Sequence, residues 1–239
     1  MESNVEATVK RIVCLANSRK YNGRCVAGRE LLQGGRPGPW VRPVSAREYE
    51  EVSFDERRLG DGSEPLLLDE IEVPILEARP KSYQRENWLL DPTRAWKLVG
   101  RLGPGRLSRI VDSVAPLWID GYSSSEGQND RIPIAEAETL DNSLCLIRVA
   151  RAVMSVTENQ NRRRLRLFFR HAGGEYGLRP TDPEYEDRYL SREVGEYEIG
   201  ECYLTISLGE PFEAFEGAPS YVYKLIAAII EIAEIRSTR

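Results

Sequence analysis

Short apolar runs separated by turn residues dominate the chain. Arg11 to Ala16 is apolar and β-branched and predicts a strand. The polar stretch Asn17 to Gly23 predicts a turn, and Asn22-Gly23 is a hairpin signal that makes Arg24 to Gly28 the return strand. Gln33 to Pro39 is rich in glycine and proline and reads as a loop. Trp40 to Val44 alternates like a strand, with Pro43 suited to an edge or a strand end. Ser45 to Glu56 predicts a short helix or turn. Leu66 to Ala78, with Leu68, Ile71, Val73 and Ile75, predicts a longer strand. Leu107 to Val114 has room for one or two helical turns before Pro116.

The second half repeats the style. Ser123 to Asp130 is polar and predicts a flexible linker, with a new β-rich unit beginning near Ser143. Cys145 to Thr157 and Arg163 to Arg170 read as strands joined through Glu158 to Asn161, and Glu175 to Leu178 as another. Asp182-Pro183-Glu184 has the acids of a helix start. Cys202 to Leu208 alternates as a strand. Tyr221 to Ile232 has alanine and leucine that allow a helix, but its isoleucine, valine and tyrosine favour a strand. Many short strands with few helices predict a mainly β protein built as two small, partly open barrels, each with a short helix between strands. Residues 1–140 are assigned to the first and 141–239 to the second.

Composition fits a folded protein: 41% hydrophobic and 30% charged over 239 residues leaves enough apolar material for a core. No apolar run reaches the roughly 18 residues of a membrane helix, the longest being interrupted by Glu231 and Glu234. Met1 to Lys10 is polar and does not read as a secretory signal. Cys14, Cys25, Cys145 and Cys202 are widely spaced, without a C-x-x-C pair, which predicts reduced thiols in a cytoplasmic protein. The single histidine, His171, excludes multi-histidine metal hydrolases and reads as a solvated turn residue.

The net charge of −5 argues against a generic nucleic-acid glue, but the charge is segregated. Lys10 to Arg47 contains nine basic residues and one acid, Glu30; Arg148 to Arg170 contains seven arginines and one acid, Glu158. Asp182 to Glu216 is strongly acidic. Arginine predominates, and its planar fork suits phosphate or carboxylate. These arginines serve either an external anion or the chain's own acidic segment.

Three constellations carry candidate chemistry. In the first, Asn17, Ser18, Arg19, Lys20 and Arg24 present amide, hydroxyl and cationic donors around a turn, with Tyr21 a lesser stacking candidate. Trp40 and Arg42, two apart and so on one strand face, offer a stacking surface and a cation, followed by Ser45 and Arg47. In the second, Gln84 and Asn87 are amides able to read bases or to bridge structure. In the third, Asp69, Glu70, Glu72 and Glu77 lie along one strand, where solvated acids are commoner than a magnesium site. No phosphate-binding glycine loop of the P-loop or dinucleotide type is present.

The run Ile12 to Lys20, the Gly23-Arg24-Cys25 turn, Trp40 to Ser45, Gln84 to Asn87, Ser207 to Phe212 and Tyr223 to Ile230 together resemble the bacterial dual OB domain-containing family over nearly the full chain. The resemblance implies two OB-like five-stranded barrels and nucleic-acid binding, in settings of bacterial conflict or defence. Combined with the residues, it predicts a non-enzymatic module for single-stranded or end-containing nucleic acid, without cofactor or metal, with a protein partner from the same system and no membrane. Arg19, Lys20, Arg24, Arg42 and Arg47 would neutralise phosphates, Trp40 would stack a base, and Asn17, Ser18, Ser45, Gln84 and Asn87 would add polar contacts. The alternatives are a sensor of a nucleotide-like small molecule, and an enzyme on a nucleotide or nucleic acid using Cys14 or Cys25, or Asp69 and Glu72 with a metal.

Overall fold

The expected hairpin is the opening pair of a five-stranded ring. In the computed structural model, which describes residues 8–232, β1 (Thr8–Lys20) pairs antiparallel with β2 (Gly23–Leu31), and β2 with β3 (Pro37–Val44). After a short capped helix, α1 (Phe54–Arg57), come β4 (Asp69–Ala78) and β5 (Asn87–Leu90). β5 lies between β4 and β3, parallel to β3, and β4 returns to β1, which closes the ring in the order β1-β2-β3-β5-β4. β6 (Lys97–Arg101) adds to β4 outside the ring, and α2 (Pro104–Leu107) follows. Ile12, Cys14, Val26, Val41, Ile71, Val73 and Ile75 supply the core, at the period of two that a strand imposes.

The second unit repeats this order. β7 (Arg131–Pro133) and α3 (Ile134–Ala137) precede β8 (Leu144–Asn159), β9 (Arg162–His171), β10 (Gly174–Pro180), α4 (Pro183–Leu190), β11 (Gly195–Phe212) and β12 (Tyr221–Glu231). β8 pairs with β9, β9 with β10, β10 in parallel with β12, β12 with β11, and β11 with β8. Position by position this ring matches the first, with a helix between the third and fourth strands of each. Tyr221 to Glu231 is a strand, as its β-branched content indicated. Along β9, Leu165, Leu167 and Phe169 point into the core while Arg164, Phe168 and Arg170 point out. The mainly β expectation of two OB-like barrels with short helices holds.

Three expectations change. The units divide between Ile110 and Val111, not at 140. The reason is that residues 111–142 dock on the second ring: Asp112 and Leu146 exchange hydrogen bonds of 2.8 Å, Leu117 is in that ring's core, and β7 pairs with β12. Ser123 to Asp130 is no linker. Asp130, with no exposed surface, accepts from Ser124 N at 2.7 Å and Ser124 Oγ at 2.6 Å, and Gln128 and Gly177 exchange backbone hydrogen bonds. The helical turn expected at Leu107 to Val114 lies earlier, at Pro104–Leu107.

Most of Met1 to Lys10, read as a non-signal segment, lies outside the described residues. Among the described residues no helix is long and apolar enough to cross a membrane.

Candidate functional site

β1 extends to Lys20, so Asn17, Ser18, Arg19 and Lys20 are strand residues rather than one turn. Strand alternation then sends them to opposite faces. Ser18 is buried and its hydroxyl donates to the Cys25 carbonyl at 3.5 Å; Asn17 is half-buried, its amide donating to the Pro65 carbonyl at 3.0 Å. Arg19 stands at the surface, directly opposite Arg24 of β2. The turn itself is Tyr21-Asn22, Tyr21 taking φ +49°. Gly23 is required for a different reason from the one its hairpin signal implied: a Cβ there would sit 2.6 Å from the Val52 carbonyl oxygen. That approach lets Arg24 and Val52 exchange two backbone hydrogen bonds of 2.9 Å, which docks the loop after β3 onto the β1–β2 turn.

The docking brings two aromatics together. Tyr21 and Tyr49 stack with ring centroids 4.2 Å apart and an interplanar angle of 26°. They are 64% and 48% exposed, so the pair is a surface platform and not core. The same loop holds Glu50, which pairs with Lys81 of the β4–β5 connection at 3.2 Å. Three connections of the first barrel therefore meet here. Arg19, Lys20, Arg24 and Arg47 lie on the same hairpin and loop. Arg47 keeps a half-exposed side chain and an ion pair of 3.4 Å to Glu56. Burial pushes the Glu56 carboxyl up, but hydrogen bonds from Ser53 and Ser45 and the charge of Arg47 outweigh it and hold the group below its ordinary value.

The other sequence candidates are internal. Trp40 is 7% exposed and lies under the guanidinium of Arg29, its cross-strand neighbour, at 5.3 Å. Arg42 is 4% exposed and is held by Glu86 at 3.2 Å and by Asn87 Oδ1 at 3.4 Å. The Asn87 amide donates to Gln84 Oε1 at 3.2 Å, so Arg42, Gln84, Glu86 and Asn87 form one buried network across the parallel β3–β5 pair. Ser45 is buried between the Glu56 carboxylate, 3.0 Å away, and the Arg47 amide. Side chains this enclosed reach no ligand unless the barrel opens. Their types matched nucleic-acid contacts because satisfying buried polar groups calls for the same donors.

The remaining reactive groups are also engaged. Burial, reinforced by the charge of Asp69, pushes the Cys14 thiol up to about 12, which keeps it protonated and a poor nucleophile at neutral pH. Cys25 is half-buried. Asp69 pairs with Arg101 at 2.6 Å and Glu72 with Lys97 at 3.7 Å. His171 is not simply solvated: its Nε2 lies 2.7 Å from the Val114 carbonyl oxygen, which only accepts, so Nε2 carries the proton.

Part of the arginine-rich segment of the second barrel pairs with the chain's own acidic segment. Arg148 and Arg151 pair with Glu201 and Glu198 of the acidic segment. On the outward face of β9, Arg162, Arg164, Arg166, Phe168 and Arg170 form an alternating row, extended by Arg179 on β10. Phe168 lies over Gly177, where a Cβ would meet its ring at 2.6 Å. Glu126 engages Arg164, and Asp130 lies 3.5 Å from Arg166, whose burial holds its pKa below the ordinary value. Arg162 and Arg179 have no ion pair among the described residues, and they line a groove of about 360 Å³. The segment's charge was evident in the sequence; its concentration on one face depended on strand register. Tyr49 escaped sequence reasoning because it lies remote from Tyr21 along the chain.

No curated protein and no solved structure matches the chain. The family model described as a dual OB-containing domain matches residues 10–229.

Proposed function

Because the chain belongs to the family of dual OB-containing domains, we propose that it is a non-enzymatic binder of single-stranded nucleic acid that uses the β1–β2 turn of its first barrel. The observation that carries this reading is the exposed Tyr21–Tyr49 stack beside Arg19 and Arg24. Every base has a π-face, so a solvent-facing tyrosine platform accepts single strands with little sequence preference. Arg19 and Arg24, directly opposed on neighbouring strands, set two guanidinium forks side by side, an arrangement that suits a phosphate. OB barrels bind oligonucleotides through this first turn and the β4–β5 connection, and here the loop after β3 touches both, the first through Val52 and Arg24 and the second through Glu50 and Lys81. The contact set is thus Tyr21, Tyr49, Arg19, Lys20, Arg24 and Arg47, with the β9 arginine row of the second barrel as a further phosphate track. Four free cysteines fit a reducing, cytoplasmic setting.

Fluorescence anisotropy of labelled single-stranded DNA, single-stranded RNA and duplex across a salt series tests the reading. Binding should weaken steeply with salt, because releasing counterions into a saltier solution gains less entropy. Tyr21→Ala should weaken single-strand binding by about 1–3 kcal/mol, the worth of one base–aromatic stack. Absence of binding at low salt, or binding indifferent to Tyr21→Ala and to the double change Arg19→Ala with Arg24→Ala, refutes it.

A further inference from the structure

The far end of β2 forms a second cationic concavity. β2 has nine residues, which at the strand rise puts its two ends about 26 Å apart. The connection from β2 to β3 makes a single tight turn, Gln33–Gly35, with Gly34 and Gly35 at φ +75° and +70°, a backbone that favours glycine. Gly35 lies against α2. A Cβ at residue 35 would stand 2.5 Å from a terminal nitrogen of Arg106, so the turn lies directly against that guanidinium. Glu70 of β4, nearly buried, holds Arg11 at 2.6 Å and Arg106 at 3.4 Å. Arg36 and Arg109 line the same cleft, are exposed, and have no ion pair among the described residues. Four guanidinium groups thus share one carboxylate around a cleft of about 790 Å³. Leu32, 42% exposed, and Ile110 give it an apolar margin.

We propose that this cleft is a binding site for an anion of two or more linked phosphates. Glu70 compensates one of the four cations and orients two, leaving an excess of positive charge that nothing in the cleft neutralises. Guanidinium forks bind phosphate oxygens bidentately, and a single phosphate cannot span four of them lining a cavity of this size. The volume suits a nucleotide-sized ligand. Such a group is carried either by a free nucleoside di- or triphosphate or by the phosphorylated end of a strand. The site stands apart from the Tyr21–Tyr49 platform and does not depend on the function proposed for it.

Calorimetric titration of the full chain at low salt with pyrophosphate, orthophosphate, ADP, and a short oligonucleotide bearing a 5′-triphosphate or a 5′-hydroxyl tests the proposal. Pyrophosphate should bind about tenfold or more tightly than orthophosphate, and Arg36→Ala with Arg109→Ala should remove at least that factor. Both arginines are exposed, so the double variant should keep its melting midpoint; Arg36→Glu alone provides a second variant with the same expected loss. Tyr21→Ala should leave pyrophosphate binding unchanged, which separates this site from the stacking platform. ADP binding more tightly than pyrophosphate assigns the site to a nucleotide; a preference for the 5′-triphosphate strand, lost in the double variant, assigns it to a strand end. Equal binding of pyrophosphate and orthophosphate, absence of binding, or undiminished binding by the double variant overturns the proposal.

Discussion

Lys224 Nζ, with no exposed surface, lies 3.0 Å from Asp120 Oδ1 and donates to the Ile119 carbonyl at 2.7 Å. The pair ties the segment before β7 to β12. Tyr176 Oη donates to the other Asp120 oxygen at 2.7 Å and accepts from the Leu117 amide at 3.2 Å, which completes the anchor. Burial lowers the Lys224 pKa, and Asp120 opposes that shift.

Asp120→Ala should therefore destabilise the second barrel by about 3 kcal/mol, because it strands a buried ammonium. Lys224→Met, which removes the charge and keeps an unbranched apolar chain, should cost less. Urea unfolding of both variants checks the order; the reverse order would show that the lysine's packing, not its charge, sets the cost.

Arg42 and Glu86 pair with side chains each 4% exposed. Arg42→Ala should cost about 3–5 kcal/mol of stability by leaving Glu86 buried without its partner. Trp40→Ala should cost a similar amount through the cavity it leaves. Any ligand-binding loss in these variants should track their unfolded fraction. A folded Arg42→Ala protein that fails to bind would return Arg42 to the interface.

Asp182 caps α4, accepting from Glu184 N at 3.0 Å, and accepts from Ile229 N at 3.0 Å. Burial pushes its carboxyl up to about 6 against the opposing backbone hydrogen bonds. A folded pKa above the unfolded value means that the native state binds the extra proton. This group's favourable contribution is thus complete below about pH 4 and lost as pH rises through about 6. Chemical unfolding at several pH values should show that slope in the parent, and Asp182→Asn should flatten it between pH 4 and 6.

Gly23→Ala should cost about 1–3 kcal/mol, since its methyl meets the backbone of Val52 and neither strand can yield freely. By parting Arg24 from Val52 it should also separate Tyr49 from Tyr21. Weakened single-strand binding by a still-folded Gly23→Ala protein, measured by anisotropy, would be the expected result; unchanged affinity would show that Tyr21 acts without Tyr49.

Strand content was legible because a barrel strand must alternate its side chains between core and surface, and Ile71-Val73-Ile75 or Leu165-Leu167-Phe169 displays that period directly. Even the ambiguous Tyr221 to Ile232 yielded to its β-branched content. Less was legible of the site. Arg24 lies on the return strand as its place after Gly23 indicates, but Trp40 and Arg42, two apart on one strand, are on a covered face. Likewise the polar residues Asn17 to Lys20 end the apolar run and so read as a turn, although pairing with β2 carries β1 through to Lys20.

Local pattern determines which residues extend and which turn, since backbone sterics and side-chain period act over a few positions. Charge segregation is equally a property of the chain. Ring closure decided the rest. Putting β5 beside β3 buries Arg42 with Asn87, and folding the loop after β3 onto the first turn sets Tyr49 on Tyr21. Burial and stacking between residues distant in sequence depend on that closure, so the same arginine or aromatic side chain is internal in one register and a ligand surface in another.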